Sequence, residues 1–186
     1  MQFSLFYRGD LKANRGAAEK HDLRRHFHVQ LAELWKHLPL SDNREFLASP
    51  TQQGKVSVVQ EIGAFKFAPL VTKNLDMTAE LEIVMLRPGS PGSVITHGGD
   101  IDNRLKTLLD ALKIPSEPTA LPSGALPGPD ETPFFTLLED DRLLTGISVR
   151  TDRLLDANAG QSEVLLLIRV TTRASRATFA NLGLSG

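Results

Sequence analysis

Cysteine is absent from all 186 residues, which excludes disulfides, thiolate metal sites and cysteine nucleophiles. No apolar run approaches the ~20 residues that a membrane-crossing helix needs; stretches such as EVLLLIRV are strand-sized. An excess of one charge is lacking too. The formal net charge is −1 at pH 7, so the chain as a whole exerts no pull on nucleic acid or anionic membrane, and any such binding must come from local patches. Neither a serine-hydrolase elbow nor a phosphate-binding glycine loop occurs. The opening MQFSLFYRGD has no basic start, long apolar stretch or small-residue cleavage site, so it does not read as a secretory signal. A cytoplasmic location is the expectation.

What is present suits an ordinary folded domain. Hydrophobic residues make up 41% and charged residues 23%, near the usual range. The length allows one domain with a sizeable core and is short for two, so residues 1–186 are read as a single domain. QFSLFY alternates as a first strand. From Ala17 to Leu38 the residues Leu23, Phe27, Leu31, Leu34, Trp35 and Leu38 recur at spacings of three and four, which predicts an amphipathic helix ended by Pro39. KVSVVQEIGAFKFAPLV and TAELEIVMLRP alternate as strands, the second with Leu81, Ile83 and Met85 on one face.

A second helix is expected after Gly98 and Gly99, with Ile101, Leu105, Leu108 and Leu112 as its apolar stripe. Asp102, Lys106 and Asp110 fall on a different face at steps of four. Pro115 ends it, and residues 114–133 hold six of the eleven prolines, which predicts a long loop or lid. FFTLLEDDRLLTGISVRT resumes an extended pattern, and SEVLLLIRVTTR is a clear strand. The tail 174–186 is expected to fray, with Phe179 and Leu182 as the residues able to dock. Strands interrupted singly by helices predict an α/β or α+β arrangement, a small mixed sheet with a few helices packed on it.

GGDIDNRLKTLLDAL poses a chemical question, because Asp100 and Asp102 sit two apart where their charges crowd. One answer is local. Asp100 can cap the helix N-terminus and Asp102 can face the positive end of its dipole, with Lys106 a simple i, i+4 ion-pair partner. The other answer brings in Glu139, Asp140 and Asp141 of LLEDDRLLTG. Beside Asp100 and Asp102 these complete an all-oxygen nest of the kind hard divalent cations prefer, with Lys106 available to a scissile phosphate.

Asp100-Ile-Asp102-Asn103, Lys106, Asp110-Ala111-Leu112 and the later acidic pair together resemble the core of the RusA-like Holliday junction resolvase family, over roughly residues 79–170, about half the chain. The resemblance implies a homodimeric, Mg²⁺-dependent endonuclease, with Mn²⁺ as an alternative ion, that cuts branched DNA. It implies Asp100, Asp102 and Asp141 as metal ligands, Lys106 as the catalytic lysine and Asn103 as the residue orienting the turn, with Asp141 preferred to Asp140. Arg8, Lys12, Arg15, Arg24 and Arg25, from a basic run that also includes Lys20, are the candidate substrate-binding residues; Arg169, Arg173 and Arg176 form a weaker group. His21, His26, His28 and His37 lack a metalloprotease spacing and are expected to be surface or partly buried. The alternative function is a non-catalytic nucleic-acid-binding or protein-interaction domain that retains the fold.

Overall fold

The computed structural model describes residues 1–49, 56–89 and 100–184, with Asp100 by its backbone alone. They run in the order β1 (Gln2–Asp10), α1 (Ala17–Leu34), β2 (Gln60–Ile62), β3 (Phe65–Val71), β4 (Met77–Arg87), α2 (Asp100–Leu112), β5 (Phe134–Leu138), β6 (Leu144–Arg153) and β7 (Glu163–Ala174), with short 3₁₀ turns between. The fold is α+β. Four strands form one sheet in the order β1-β7-β4-β6, and three form another in the order β2-β3-β5. In the first sheet β1/β7 and β4/β7 pair antiparallel and β4/β6 parallel. In the second, β2/β3 pair antiparallel and β3/β5 parallel. Among the described residues no helix is long and apolar enough to cross a membrane.

Period-2 alternation explains the first sheet. Met77, Ala79, Leu81, Ile83 and Met85 of β4 are all buried, and antiparallel register sets Leu81 opposite Val170, Ile83 opposite Ile168 and Met85 opposite Leu166 of β7. One face is therefore apolar throughout, while the other is mixed: Glu80, Glu82 and Arg169 share it with Val84, Leu165, Leu167 and Phe6, and Phe6 and Leu167 are exposed. β3 behaves differently: Phe65, Phe67, Ala68, Leu70 and Val71 are buried, a continuous run that covers both faces of a strand. That is why the single small sheet expected becomes two, sharing one core that joins Leu70, Val71 and Leu137 to Leu81, Ile83 and Ile168.

Other boundaries move for local reasons. Within the run expected as one strand, residues 60–71 form a hairpin, because Gly63 at φ +60° lets the chain turn in two residues and sets Ile62 opposite Phe65. Helix α1 stops at Leu34 rather than Leu38, since the residue before Pro39 is disfavoured in helical geometry. Its last amides tighten instead into bonds from Lys36 to Glu33 O and from His37 to Leu34 O. Residues 114–133 contain no strand and only the short 3₁₀ turn Pro118–Ala120, as their prolines require. The tail docks, but through other residues than those expected. Asn181 is buried and its amide donates to Leu75 O and Arg176 O, and Leu184 joins the core, while Phe179 is fully exposed and Leu182 is exposed.

Of the histidines expected to be surface or partly buried, His21 and His28 are fully buried. His21 lies against Phe65 and Phe134, and His28 against Phe134 and Phe135. His28 Nδ1 accepts from Phe135 N at 2.8 Å while Nε2 meets Asp130 O at 3.1 Å, so the ring is the neutral Nε2–H tautomer. Burial, helped by the nearby Arg24, lowers the His21 pKa to about 4, and burial lowers that of His28 too. In the unfolded chain both titrate near 6.5. The stability they allow is complete above that value and falls as pH drops towards 4, because only the unfolded chain takes up the protons. His21 alone is expected to remove about 3 kcal/mol over that interval. Urea unfolding at pH 7.5, 5.5 and 4.5 checks this, and His21→Leu should flatten the profile.

Candidate functional site

Strand β5 and helix α2 meet at their C-terminal ends. Lys113, the residue after α2, forms a parallel bridge with Leu138, the last residue of β5, and Ile114 N donates to Leu138 O. Beyond Leu138 the chain turns through Glu139, Asp140 and the 3₁₀ turn Asp141–Leu143 into β6. This junction delivers the acidic run to the flank of α2. Asp102, Leu105, Lys106, Leu109, Asp110, Lys113 and Asp141 line one cavity of about 280 Å³. The polar helix face read from steps of four therefore looks into the cavity, and Asp141, 35 residues beyond Lys106, joins it.

The three acidic neighbours differ in what holds them. Glu139 Oε2 accepts from the Thr72 hydroxyl at 2.6 Å and from Lys73 N at 2.8 Å, so it is a structural anchor between β5 and the turn before β4. Asp140 caps the 3₁₀ turn through Arg142 N and is gripped by the Arg142 guanidinium through both oxygens; these bonds hold its carboxyl far below the usual carboxylate range. Asp141 Oδ2 instead accepts from Lys113 Nζ at 2.7 Å. Lys113 also stands 3.5 Å from Asp110 Oδ1, and Asp110 Oδ2 receives Lys20 Nζ at 2.7 Å. Burial would raise the Asp110 pKa, but Lys20 and Lys113 outweigh it and keep it low. Lys20, Asp110, Lys113 and Asp141 thus form an alternating chain of charges from α1 to the acidic turn.

Among the described residues Lys106 makes no ion pair with Asp102, although helical spacing would permit one. Helix α2 opens at Asp100, which puts Asp102 in its first turn, where the dipole favours a negative charge. The Asp100 side chain, Gly98 and Gly99 lie outside the described residues. The carbonyl of Asn103 accepts from the Thr107 hydroxyl. Among the described residues no three His, Asp or Glu side chains are grouped closely enough to hold a metal ion. Asp102, Asp110 and Asp141 line the same cavity with Lys106 and Lys113 and without histidine or thiolate; carboxylate oxygens are the donor type that a hard divalent cation prefers.

The N-terminal cations are distributed unevenly. Arg8 bonds Asp156 and, at 2.8 Å, Glu163; Arg25 bonds Glu131 at 2.7 Å. Lys12 and Arg15 have looser partners, Asp10 at 3.9 Å and Glu19 at 3.5 Å. Arg24 is 3% exposed and donates from Nε to Lys113 O and from Nη2 to Asp110 O. It is a buried cation closing the C-terminal end of α2, where the helix dipole welcomes it, and its guanidinium is already committed to these main-chain carbonyls. Of the weaker basic group, Arg173 pairs with Glu80 and Arg176 with Asp76, while Arg169 donates to Gln2.

Sequence reasoning passed over Lys113 and did not assign Asp110 to the site. The available signal was spacing: positions 106, 110 and 113 continue the helix face that begins at Asp102. No family model matches this chain, and comparison with curated proteins and with solved structures finds no match either.

Proposed function

We propose that this protein is a metal-dependent endonuclease acting on branched DNA, of the RusA-like kind, working as a homodimer in the cytoplasm. The observation that carries the reading is the meeting of Asp102 and Lys106, from one helix, with Asp141, from the turn after β5, around a single cavity. Asp102 and Asp141, with Asp100 as the resemblance implies, would hold Mg²⁺ or Mn²⁺. Such an ion supplies Lewis acidity towards a phosphoryl oxygen and lowers the pKa of water.

The chain's own residues contribute charge and position. Lys106 would stabilise negative charge accumulating on the phosphate oxygens as a water oxygen forms a new P–O bond and gives up a proton to solvent, while the leaving oxygen departs with the bonding electron pair and takes a proton from solvent. Lys12 and Arg15, the most loosely paired cations of the N-terminal run, are the phosphate contacts of choice, and the tightly paired Arg8 and Arg25 are secondary. Two copies related by a two-fold axis would suit paired cuts in a junction of matching symmetry. Asp141 already has Lys113 as its counter-ion, and that is the arrangement expected of a domain that kept the fold for binding alone.

Titration separates the two readings. Calorimetry is expected to show Mg²⁺ or Mn²⁺ binding to the wild type that Asp102→Asn weakens by at least about tenfold, the size of effect produced by losing ~1.4 kcal/mol. A synthetic four-way junction should then be cut while linear duplex of the same sequence is spared. Equal binding by the wild type and the variant removes the basis of the enzyme reading.

A further inference from the structure

The four-stranded sheet has one face without a second layer. Helices α1 and α2 send Leu23, Phe27, Leu31, Leu108 and Leu112 into the core, on the face that carries Leu81, Ile83 and Ile168. On the opposite face Phe6 is 60% exposed and Leu167 46%, and register sorts the side chains there into level rows. Phe6, Leu167, Val84 and Arg150 form one row across β1, β7, β4 and β6. Ser4, Arg169, Glu82 and Ser148 form the row on one side of it, and Arg8, Leu165, Leu86 and Asp152 the row on the other. An apolar band thus lies between charges of both signs, the pattern of an interaction surface. Glu82 and Arg169 are cross-strand neighbours, yet among the described residues neither makes an ion pair, and nor does Arg150. Strand addition along β1 is obstructed at its centre, because Phe6 N donates to Gln30 Oε1 and Phe6 O accepts from Gln30 Nε2. The face, rather than that edge, is what remains open.

We propose that this face is covered by the same face of a second copy, the two sheets stacking as a sandwich about a two-fold axis that runs along the strands between them. Sheets stack in this way about 10 Å apart with their strands within about 30° of one another. Such an axis keeps each row level and reverses the strand order, so β7 lies over the partner's β4 and β1 over the partner's β6. Arg169 then meets the partner's Glu82, and Glu82 the partner's Arg169. Leu167 meets the partner's Val84, Leu165 the partner's Leu86, and Arg150 comes over the ring of the partner's Phe6, where a guanidinium is favoured. These pairings follow from the register within one chain, and they are the self-complementarity that a two-fold interface requires. Four strands, each contributing about 25 Å of length, give on the order of 500 Å² of sheet per copy. About 1,000 Å² in all is the lower limit for specific association, so the dimer is one that forms and dissociates with concentration. The inference supplies the surface for the homodimer of the preceding subsection, rests on that part of it alone, and calls on neither metal nor DNA.

The test is sedimentation equilibrium of the whole chain, from micromolar to near-millimolar concentration, as wild type, Glu82→Arg, Arg169→Glu and the Glu82→Arg/Arg169→Glu double variant. Glu82→Arg leaves only basic groups at the two central positions and Arg169→Glu only acidic ones. Each variant alone is therefore expected to raise the dimer Kd by at least about tenfold, since like charges then face each other twice across the axis. An equimolar mixture of the two should regain dimers containing one copy of each, because every basic group again faces an acidic one. The double variant should dimerise with itself for the same reason. Recovery in the mixture also shows that both variants are folded, and circular dichroism of each alone checks it independently. If the wild type dimerises and the two single variants dimerise equally well, the copies meet elsewhere and only this surface falls. Folded variants that stay monomeric even when mixed overturn the proposed axis. A wild type that is monomeric throughout overturns the surface and the homodimer together, while the reading of the cavity beside α2 still stands or falls by its own titration.

Discussion

Lys106→Met is expected to lower junction cleavage by roughly 10²- to 10³-fold while leaving Mn²⁺ binding nearly intact. That is the usual size of loss when one preorganised donor to a developing oxyanion is removed. Lys106 is suited to that role because it lines the cavity with Asp102 and Asp141 and, among the described residues, has no carboxylate partner. Its ammonium therefore need not break an existing pair to meet a phosphate oxygen. Lys106→Arg should recover only part of the rate, since a planar guanidinium replaces a point charge on a flexible stem. Single-turnover cleavage with saturating junction, set beside calorimetry of the ion, checks both halves of the expectation. Full activity in Lys106→Met would remove the lysine from the chemistry.

Arg24→Met is expected to be the most damaging single change to the fold among those considered, costing about 3 to 5 kcal/mol. The guanidinium is buried and makes charge-assisted bonds to Asp110 O and Lys113 O, with a further contact to His21 Nδ1 at 3.3 Å. Each such bond contributes about 1.5–3 kcal/mol, and carbonyls stranded in the interior cost more. Burial also lowers the pKa of Arg24 to about 10, still far enough above neutrality for the charge to persist at the dipole's negative end. For a chain of this length the loss corresponds to a fall of roughly 10 °C or more in Tm. Arg25→Met, one residue on, removes a partly exposed pair with Glu131 and should cost less than about 1 kcal/mol. Thermal unfolding of the two variants side by side gives the comparison, and equal Tm values would contradict it.

Much of the fold was readable along the chain where periodicity and burial coincide. The alternation of β4 and β7 and the three-four spacing of α1 and α2 are local signals, and the structure carries them in place. The boundaries that shifted did so where a single residue controls the backbone: Gly63 divides a run of apparent strand into a hairpin, and Pro39 draws back the end of α1. The two buried histidines were not foreseen, because burial of a ring with two polar nitrogens depends on partners such as Phe135 N and Asp130 O that lie more than 100 residues away. The same limit applies to Arg24, whose place in a run of basic residues resembles that of Arg25 although one is buried and the other is not.

For the candidate site, chemistry was legible and grouping only partly so. An acidic helix start, a lysine one turn later and a distant acidic pair were visible as residue types at fixed spacings, and those spacings alone set which side chains share a face of α2. The preference for Asp141 over Asp140 came from the resemblance, and the contacts that separate Glu139, Asp140 and Asp141 were seen only in the structure. Thr72 and Arg142 claim the first two, and the bridge between Lys113 and Leu138 brings the third alongside the helix. The physical reason is range. Backbone geometry repeats every two or 3.6 residues and so is encoded locally, whereas the counter-ion of a carboxylate is whatever the completed fold places within a few ångströms of it.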